Sequence, residues 1–432
     1  ARREQRELLQ KADLTAVLKG LNAIQGTPWA INGAVLDVMK VLAKSDAGIA
    51  GLVPGDKPLP ERPHDIDTNK DVLREWKWAA RDVYSENLQL RQDRLKQGQM
   101  LDLAERFRQE KAIYFPHNLD FRGRAYPVPE VLHPQGSDSV KGLLRFAEGK
   151  ALGEDGERWL AIHGANTFGV DKVSFDERVQ WVKDHEKMIL EAAYEPFEHR
   201  WWTEADKPHG FLSFCHEWYT LRASRRDFVS HLPIALDGSC NGLQHFSAML
   251  LDSVGGAAVN LIPAAKPQDI YQVVADRVNA QLRLIVSGNG ADPERERWAH
   301  EWLHFGIDRK VTKRPVMVLP YGGTPRSCLK YVDEAVKERI KGGQQHNLGD
   351  ELKKAIGFLA SLVWESIGDV VIAARDAMGW LQRTARALGK DNLPMHWTAP
   401  SGFVAYQMYP DMKSKLLRTR ISGSMAKLRI YD

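Results

Sequence analysis

The stretch "PIALDGSCNGLQH", Pro233 to His245, runs an apolar segment, Ile234-Ala235-Leu236, into a single carboxylate, Asp237. Gly238, Ser239, Cys240, Asn241 and Gly242 follow with little side-chain bulk, and helical spacing resumes at Leu243. The apolar run reads as a buried strand. Two readings of Asp237 fit that context. As a helix N-cap it would accept hydrogen bonds from the first free N–H groups of the next helix. As a metal ligand it would offer an oxygen donor at a strand end, with the Gly238 carbonyl beside it and room for a large anion to approach. The stretch alone leaves both readings open.

The rest of the chain bounds the answer. Its 432 residues suffice for two to four packed units. No run of about 18 apolar residues occurs, which excludes a membrane-spanning helix. The opening residues, Ala1-Arg2-Arg3-Glu4-Gln5, lack the apolar region of a signal peptide, and the first residue is not Met. Three cysteines, Cys215, Cys240 and Cys328, show no CxxC spacing. That speaks against a disulfide framework or a zinc site and fits a reducing cytosol. The net charge is only +4, but cations cluster in "RFRQEK" (106–111), "RKVTKR" (309–314) and "KSKLLRTR" (413–420). Each run by itself reads as a solvated helix face; several with aromatics nearby favour a polyanionic partner.

Residues 1–44 read as helical, with apolar residues at helical spacing over 29–43. Residues 45–66 are dense in Gly and Pro and read as a loop. A charged helix is expected over about 69–112, then short strands and turns over 113–138. Long helical patterns run from 266, and "MHWTAPSGFVAYQMY" (395–409) alternates around a Ser-Gly turn, which predicts a hairpin. The fold class expected is mixed α/β, mostly helical, with a small sheet region in the middle.

Two further stretches carry candidate chemistry. In "RKVTKRPVMVLPYGG" (309–323), Arg309, Lys313, Met317 and Tyr321 recur every four residues, so a helix would place them on one face. Two cations leading to an aromatic and Gly-Gly suit a triphosphate clamp ending in a stacking surface. Pro315 and Pro320 imply either a helix that starts near residue 312 or one kinked at an end. In "DFRGRAYP" (120–127), Arg122 and Arg124 flank Gly123, a turn that reads as solvated or as a close approach to a ligand.

Taken in order, "DFRGRAYPV", "HPQGSD", "KGLLRFAEGK", "WLAIHGANTFGVDK", "DGSCNGLQHFSAML", "VGGAAVNLIP", "QDIYQVVADRVN" and "RKVTKRPVMVLPYGG" resemble the single-subunit RNA polymerases of T-odd bacteriophages, with the mitochondrial enzymes as more distant relatives. The resemblance spans residues from about 30 to at least 410. It implies a right-hand polymerase fold. Residues 1–110 would hold a remnant of the N-terminal domain and most of the thumb, 111–265 an incomplete palm, and 266–432 the fingers. A specificity-loop hairpin near 395–430 would carry Arg418 and Arg420 as base-reading candidates.

By motif, Asp237 resembles the first catalytic metal-binding aspartate, with the Gly238 carbonyl beside it. Arg309 and Lys313 resemble the pair that grips the incoming triphosphate, Lys313 also being a proton-donor candidate to pyrophosphate. Arg314 and Met317, in the same block, join the substrate-binding set. Tyr321 resembles the tyrosine that closes on the nascent base pair, and Lys172 and Tyr271 resemble accessory nucleotide contacts. Arg122, Arg124, Tyr126 and Lys141 resemble residues near the template and the RNA–DNA hybrid.

The resemblance implies DNA-directed RNA synthesis: 3′-hydroxyl attack on the α-phosphorus of an NTP, with two Mg²⁺ ions stabilising the attacking and leaving oxygens. Promoter DNA, template strand, nascent RNA and NTPs are the implied partners of a monomeric, phage-encoded enzyme in the cytoplasm of its bacterial host. Related DNA polymerases carry a Glu five residues after the motif aspartate, which blocks the ribose 2′-OH; Gly242 stands here and would admit ribonucleotides. The family's second aspartate, in a His-Asp-Ser-Phe-Gly motif, has no counterpart, since the single His-Asp is His64-Asp65 in a Pro-rich loop. The chain therefore reads as a central portion of a longer protein, inactive by itself. The alternatives are a DNA polymerase of related architecture and a catalytically incomplete nucleic-acid-binding fragment.

Overall fold

The computed structural model describes residues 2–224, 228–236, 238–288 and 292–408, and the backbone of 412–418 and 425–431. Asp237 and Arg420 lie outside the described residues, as does the side chain of Arg418. Two compact units divide the chain. One comprises 2–235 with 397–405, the other 236–396 with 406–432. The division between Ala235 and Leu236 falls inside the Pro233–His245 stretch.

The first unit contains α1 (Arg2–Gln10), α2 (Thr15–Gln25), β1 (Trp29–Ile31), α3 (Gly33–Ala43), α4 (Lys70–Phe107), β2 (His117–Leu119), β3 (Ala125–Pro127), α5 (Asp138–Gly142), β4 (Leu144–Phe146), β5 (Lys150–Ala151), α6 (Gly156–Phe168), α7 (Phe175–Asp184), α8 (Glu186–Tyr194), α9 (Pro208–Ser224) and β6 (Val229–Ser230). The strands form two-stranded antiparallel pairs, β1 with β4, β2 with β3 and β5 with β6. One helix over 29–43 is corrected. Trp29–Ile31 pair with β4, where the Trp29 ring lies 4.6 Å from that of Phe146. Asn32 then caps α3 by accepting from the Val35 N–H. From there Val35, Leu36, Met39 and Leu42 follow helical spacing and are buried. The 38-residue α4 occupies the span expected of a charged helix.

Helix α9 is the spine of this unit. Phe211, Phe214, Cys215 and Trp218 are inaccessible or nearly so. Its first turn is capped from a distance: the Asp138 carboxylate accepts from the His209 N–H at 2.8 Å and the Gly210 N–H at 3.0 Å. Helix α6 crosses against it at Gly164, where an added Cβ would lie 2.3 Å from the Phe214 ring. A mid-helix glycine costs on the order of 1 kcal/mol in propensity; here it makes room for the ring.

The second unit contains α10 (Asn241–Met249), α11 (Ser253–Ala258), α12 (Ile270–Val286), α13 (Pro293–Phe305), α14 (Arg309–Val318), a 3₁₀ turn (Leu319–Tyr321), α15 (Pro325–Lys341), α16 (Leu352–Val370) and α17 (Ile372–Lys390). Its core is built from the inner faces of α12, α13, α15 and α16, including Val274, Val278, Trp302, Val332, Leu359 and Val363. The expected hairpin near 395–409 is present as β7 (Met395–Thr398) and β8 (Val404–Gln407), closed by a turn in which the Gly402 N–H donates to the Ala399 carbonyl at 2.8 Å. Beyond it β9 (Met412–Arg418) and β10 (Met425–Tyr431) pair antiparallel. The chain is mostly helical with small sheets. Among the described residues no single helix is long and apolar enough to cross a membrane.

The buried strand expected at 234–236 does not form. Residues 231–236 are irregular, Ile234 is 42% exposed and Leu236 90%. Strand β6 ends at Ser230, and among the described residues no strand lies beside the apolar run. A strand without a neighbour leaves its N–H and C=O groups to water, so burial and pairing are lost together.

Candidate active site

In the second unit the cationic motif folds as one helix. Asp308 caps α14 by accepting from the Lys310 N–H at 3.0 Å, so the helix starts at Arg309 and not near 312. Pro315 remains inside it, and Pro320 sits in the following 3₁₀ turn. Val311, Thr312, Pro315 and Val316 face the core, while Lys310, Lys313, Arg314 and Met317 face solvent. Four cations thus occupy the first two turns, the end where the helix dipole favours anions. Asp308 offsets only part of that repulsion. Asp269 and Glu334 pair with two of the four, which leaves Lys310 and Lys313 without a carboxylate partner among the described residues.

Arg309 is held from a second helix. Its Nε donates to Asp269 Oδ2 at 2.6 Å, and Asp269 also caps α12 by accepting from the Tyr271 and Gln272 N–H groups. The guanidinium lies 5.7 Å from the centre of the Tyr271 ring. Thr312, fully buried, donates its hydroxyl to the Tyr271 carbonyl at 2.7 Å, locking α14 to the start of α12. With Nε engaged, the two terminal nitrogens of Arg309 keep a fork suited to a phosphate. Lys313, four residues on, has no carboxylate partner among the described residues, whereas Arg314 is paired with Glu334 at 2.8 Å. Burial, the neighbouring Cys240 thiol and the Asp269 carboxylate hold the Tyr271 phenol well above its usual range, so it stays protonated. Burial likewise raises the Cys240 thiol.

The small-residue turn reaches the same place. Cys240, in left-handed backbone with φ 57°, occupies the cap position of α10. Asn260 fastens the turn, donating to Ser239 Oγ at 2.8 Å and to the Gln268 carbonyl at 2.8 Å. At Gly242 an added Cβ would lie 3.0 Å from Pro320 and 3.7 Å from the Tyr321 ring. Tyr321 itself is 56% exposed. Gly242, Tyr271, Arg309 and Tyr321 therefore belong to one neighbourhood built from α10, α12, α14 and the 3₁₀ turn, with Lys313 and Met317 on the outward face of α14.

The remaining candidates lie in the first unit. Asp120 organises the turn between β2 and β3, accepting from the N–H groups of Arg122 at 2.8 Å and Arg124 at 3.0 Å and from Arg122 Nε at 2.8 Å. Arg122 also donates to the Tyr126 hydroxyl at 3.1 Å. All three side chains are exposed, as is Lys141 on the short α5. Lys172, in the loop between α6 and α7, is exposed and paired with Asp171 at 2.8 Å.

Sequence reasoning missed Asp269, Asn260, Cys240 and Thr312. Asp269 stood one residue before a helical pattern, a cap signal; its partnership with Arg309, 40 residues away, had no sequence signal. Among the described residues no group of three His, Cys, Asp or Glu side chains could hold a metal ion.

Comparison with known proteins decides the family. A model of the DNA-dependent RNA polymerase family matches residues 150–430. The chain belongs to that family. It is 38% identical to T7 RNA polymerase of Escherichia phage T7 over 440 residues, covering 94% of this chain and 49% of that protein. It is 38% identical to the DNA-directed RNA polymerase of Enterobacteria phage K11, covering 96% and 49%. The Arabidopsis thaliana DNA-directed RNA polymerase 2, chloroplastic/mitochondrial, is 36% identical, with 97% and 42% covered. The chain spans about half the length of the curated relatives it matches. Nothing in the matches favours a DNA polymerase.

Proposed function

We propose that the protein to which this chain belongs is a DNA-directed RNA polymerase, and that α14 with its neighbours grips the incoming ribonucleoside triphosphate. The observation that carries this is the cationic start of α14, where Arg309 is braced by Asp269 beside Tyr271 and Lys313 has no carboxylate partner among the described residues. Arg309 would take phosphate oxygens through its terminal nitrogens, and Lys313 would neutralise the leaving pyrophosphate and supply its proton. Tyr321 would stack on the nascent base pair, with Met317 and Arg314 lining the approach. Gly242, packed beside Tyr321, would leave the ribose 2′-OH unobstructed.

Asp237 and the Gly238 carbonyl are proposed as protein ligands for Mg²⁺, two ions in the complete enzyme, which when bound would stabilise charge on the reacting oxygens. Lys172 and Tyr271 are read as accessory nucleotide contacts. Arg122, Arg124, Tyr126 and Lys141 are read as contacts to template and hybrid, and Arg418 and Arg420 as promoter readers. The architecture proposed is a right hand, with thumb in 1–110, palm in 111–265 and fingers in 266–432. The partners are promoter DNA, template, nascent RNA and NTPs for a monomer in a bacterial cytoplasm. Run-off transcription by the protein expressed from its full reading frame tests the reading. Ribonucleotide-dependent product that disappears with Asp237→Asn supports it; no product from any duplex carrying the cognate promoter refutes it.

A further inference from the structure

Lys172 sits in the six-residue connection between α6 and α7, and that connection is held from within. Arg178, on α7, is buried, with 6% of its surface exposed. Its Nη2 donates to the Asp171 carbonyl and to the Val173 carbonyl, both at 2.9 Å. Its Nε donates to the Val173 carbonyl at 3.1 Å, and its Nη1 to Asn166 Oδ1 at 2.8 Å. The two carbonyls belong to the residues on either side of Lys172. The guanidinium therefore holds the peptide before Lys172 and the peptide after Val173, and the lysine side chain stays in solvent.

This is an expensive way to close a loop. A buried cation is normally matched by a carboxylate; every hydrogen-bond acceptor of Arg178 is neutral, and the Asp171 carboxylate offsets its charge without a hydrogen bond. The loop already has ordinary fastenings. Gly169 ends α6 in left-handed backbone, with its N–H on the Ala165 carbonyl. Ser174 opens α7 with a reciprocal capping box to Glu177. Both ends of the connection are fixed without Arg178. What the guanidinium adds is rigidity at the lysine itself, since only a planar fork reaches two carbonyls and a side-chain amide at once. The Lys172 ammonium meanwhile rests on Asp171 at 2.8 Å in an exposed pair, a weak contact that an anion readily replaces.

We propose that Arg178 is a positioning residue for nucleotide binding: by clamping the Asp171 and Val173 carbonyls it fixes the backbone from which the Lys172 ammonium reaches a phosphate of the incoming nucleotide. The proposal rests on the reading of Lys172 as a nucleotide contact. Pre-ordering the lysine removes an entropic cost from binding, so its effect falls on the KM for NTP and not on the chemical step.

The test is a double-mutant cycle in the protein expressed from its full reading frame, with Arg178→Gln, Arg178→Lys, Lys172→Ala and the combined variants, reading kcat and KM for NTP and the melting temperature. Lys172→Ala should raise KM about five- to tenfold with kcat within about twofold, the signature of lost uniform binding. Arg178→Gln should raise KM by a similar factor, and Arg178→Lys, which keeps one donor group, by less. In the Lys172→Ala background neither Arg178 change should raise KM further, whatever it does to the melting temperature. An Arg178 effect on KM that persists in full without the lysine overturns the positioning role while leaving the Lys172 reading intact. A silent Lys172→Ala overturns the Lys172 reading, and the proposal with it. Should Arg178→Gln fail to fold, the Arg178→Lys arm decides by the same comparison.

Discussion

Asp269 Oδ2 accepts a hydrogen bond from Arg309 Nε at 2.6 Å, joining the cap of α12 to the first residue of α14. One carboxylate thus performs two tasks, and a substitution can separate them. Asn caps a helix about as well as Asp but removes the charge that orients the guanidinium. Asp269→Asn should lower kcat/KM for NTP about three- to tenfold, with the melting temperature nearly unchanged. Asp269→Ala should lose the cap as well, at about 1 kcal/mol of stability. Steady-state nucleotide incorporation and thermal melting read the two effects.

Gly242 carries a steric prediction. Its Cβ position lies 3.0 Å from Pro320, so Gly242→Ala should fold with a small cost and retain ribonucleotide use. Gly242→Glu should fill the space beside Tyr321 and lower the ribo-over-deoxy preference by about tenfold or more. Competition between an NTP and its dNTP measures this. Unchanged preference in the glutamate variant would falsify the open-pocket reading.

Gly164 tests the packing of α6 on α9. Gly164→Ala places a methyl group where the Phe214 ring lies, and overpacking of this kind costs about 1–3 kcal/mol. Phe214→Leu in the same chain should recover part of the loss. Denaturant melts of the single and double variants show whether the two positions couple.

Two histidines, His163 buried and His216 half-buried, set an acid limit. Burial lowers His163 to about 4, with Lys207 adding to the effect, and burial lowers His216 to about 4. A folded value below the usual 6.5 means that the unfolded chain takes up the proton first. Stability is therefore full above about pH 6.5 and falls as pH drops toward about 4, by on the order of 3 kcal/mol per histidine across that window. Melting temperatures between pH 7 and 4.5 should decline. His216→Phe should flatten the decline, and a parallel curve for this variant would count against the assignment.

How much of this was legible beforehand differs by element. The long helices and the hairpin near 400 were readable because their patterns are local: periodic apolar residues, capping residues and a Ser-Gly turn. The face carrying Arg309, Lys313 and Met317 was readable for the same reason. Of the two readings the prolines allow for α14, a start near 312 fails because Asp308, an ordinary cap, stands further upstream. The strand expected at 234–236 failed because a strand is a statement about a neighbour, and three apolar residues do not say whether one is there. Asp269 was invisible as a brace because its partner lies 40 residues away. The Arg178 clamp was equally hidden, since backbone carbonyls leave no trace in sequence.

The central claim is that Arg309 on α14 grips the triphosphate of an incoming ribonucleotide. The most direct measurement is single-nucleotide extension of an RNA primer on a DNA template by the protein expressed from its full reading frame, followed against NTP concentration for Arg309 and for Arg309→Gln. Loss of a charge-assisted contact of about 1.5–3 kcal/mol predicts a kcat/KM lower by about 10- to 100-fold, with the variant folded. An Arg309→Gln protein that extends the primer with wild-type kcat/KM would contradict the account.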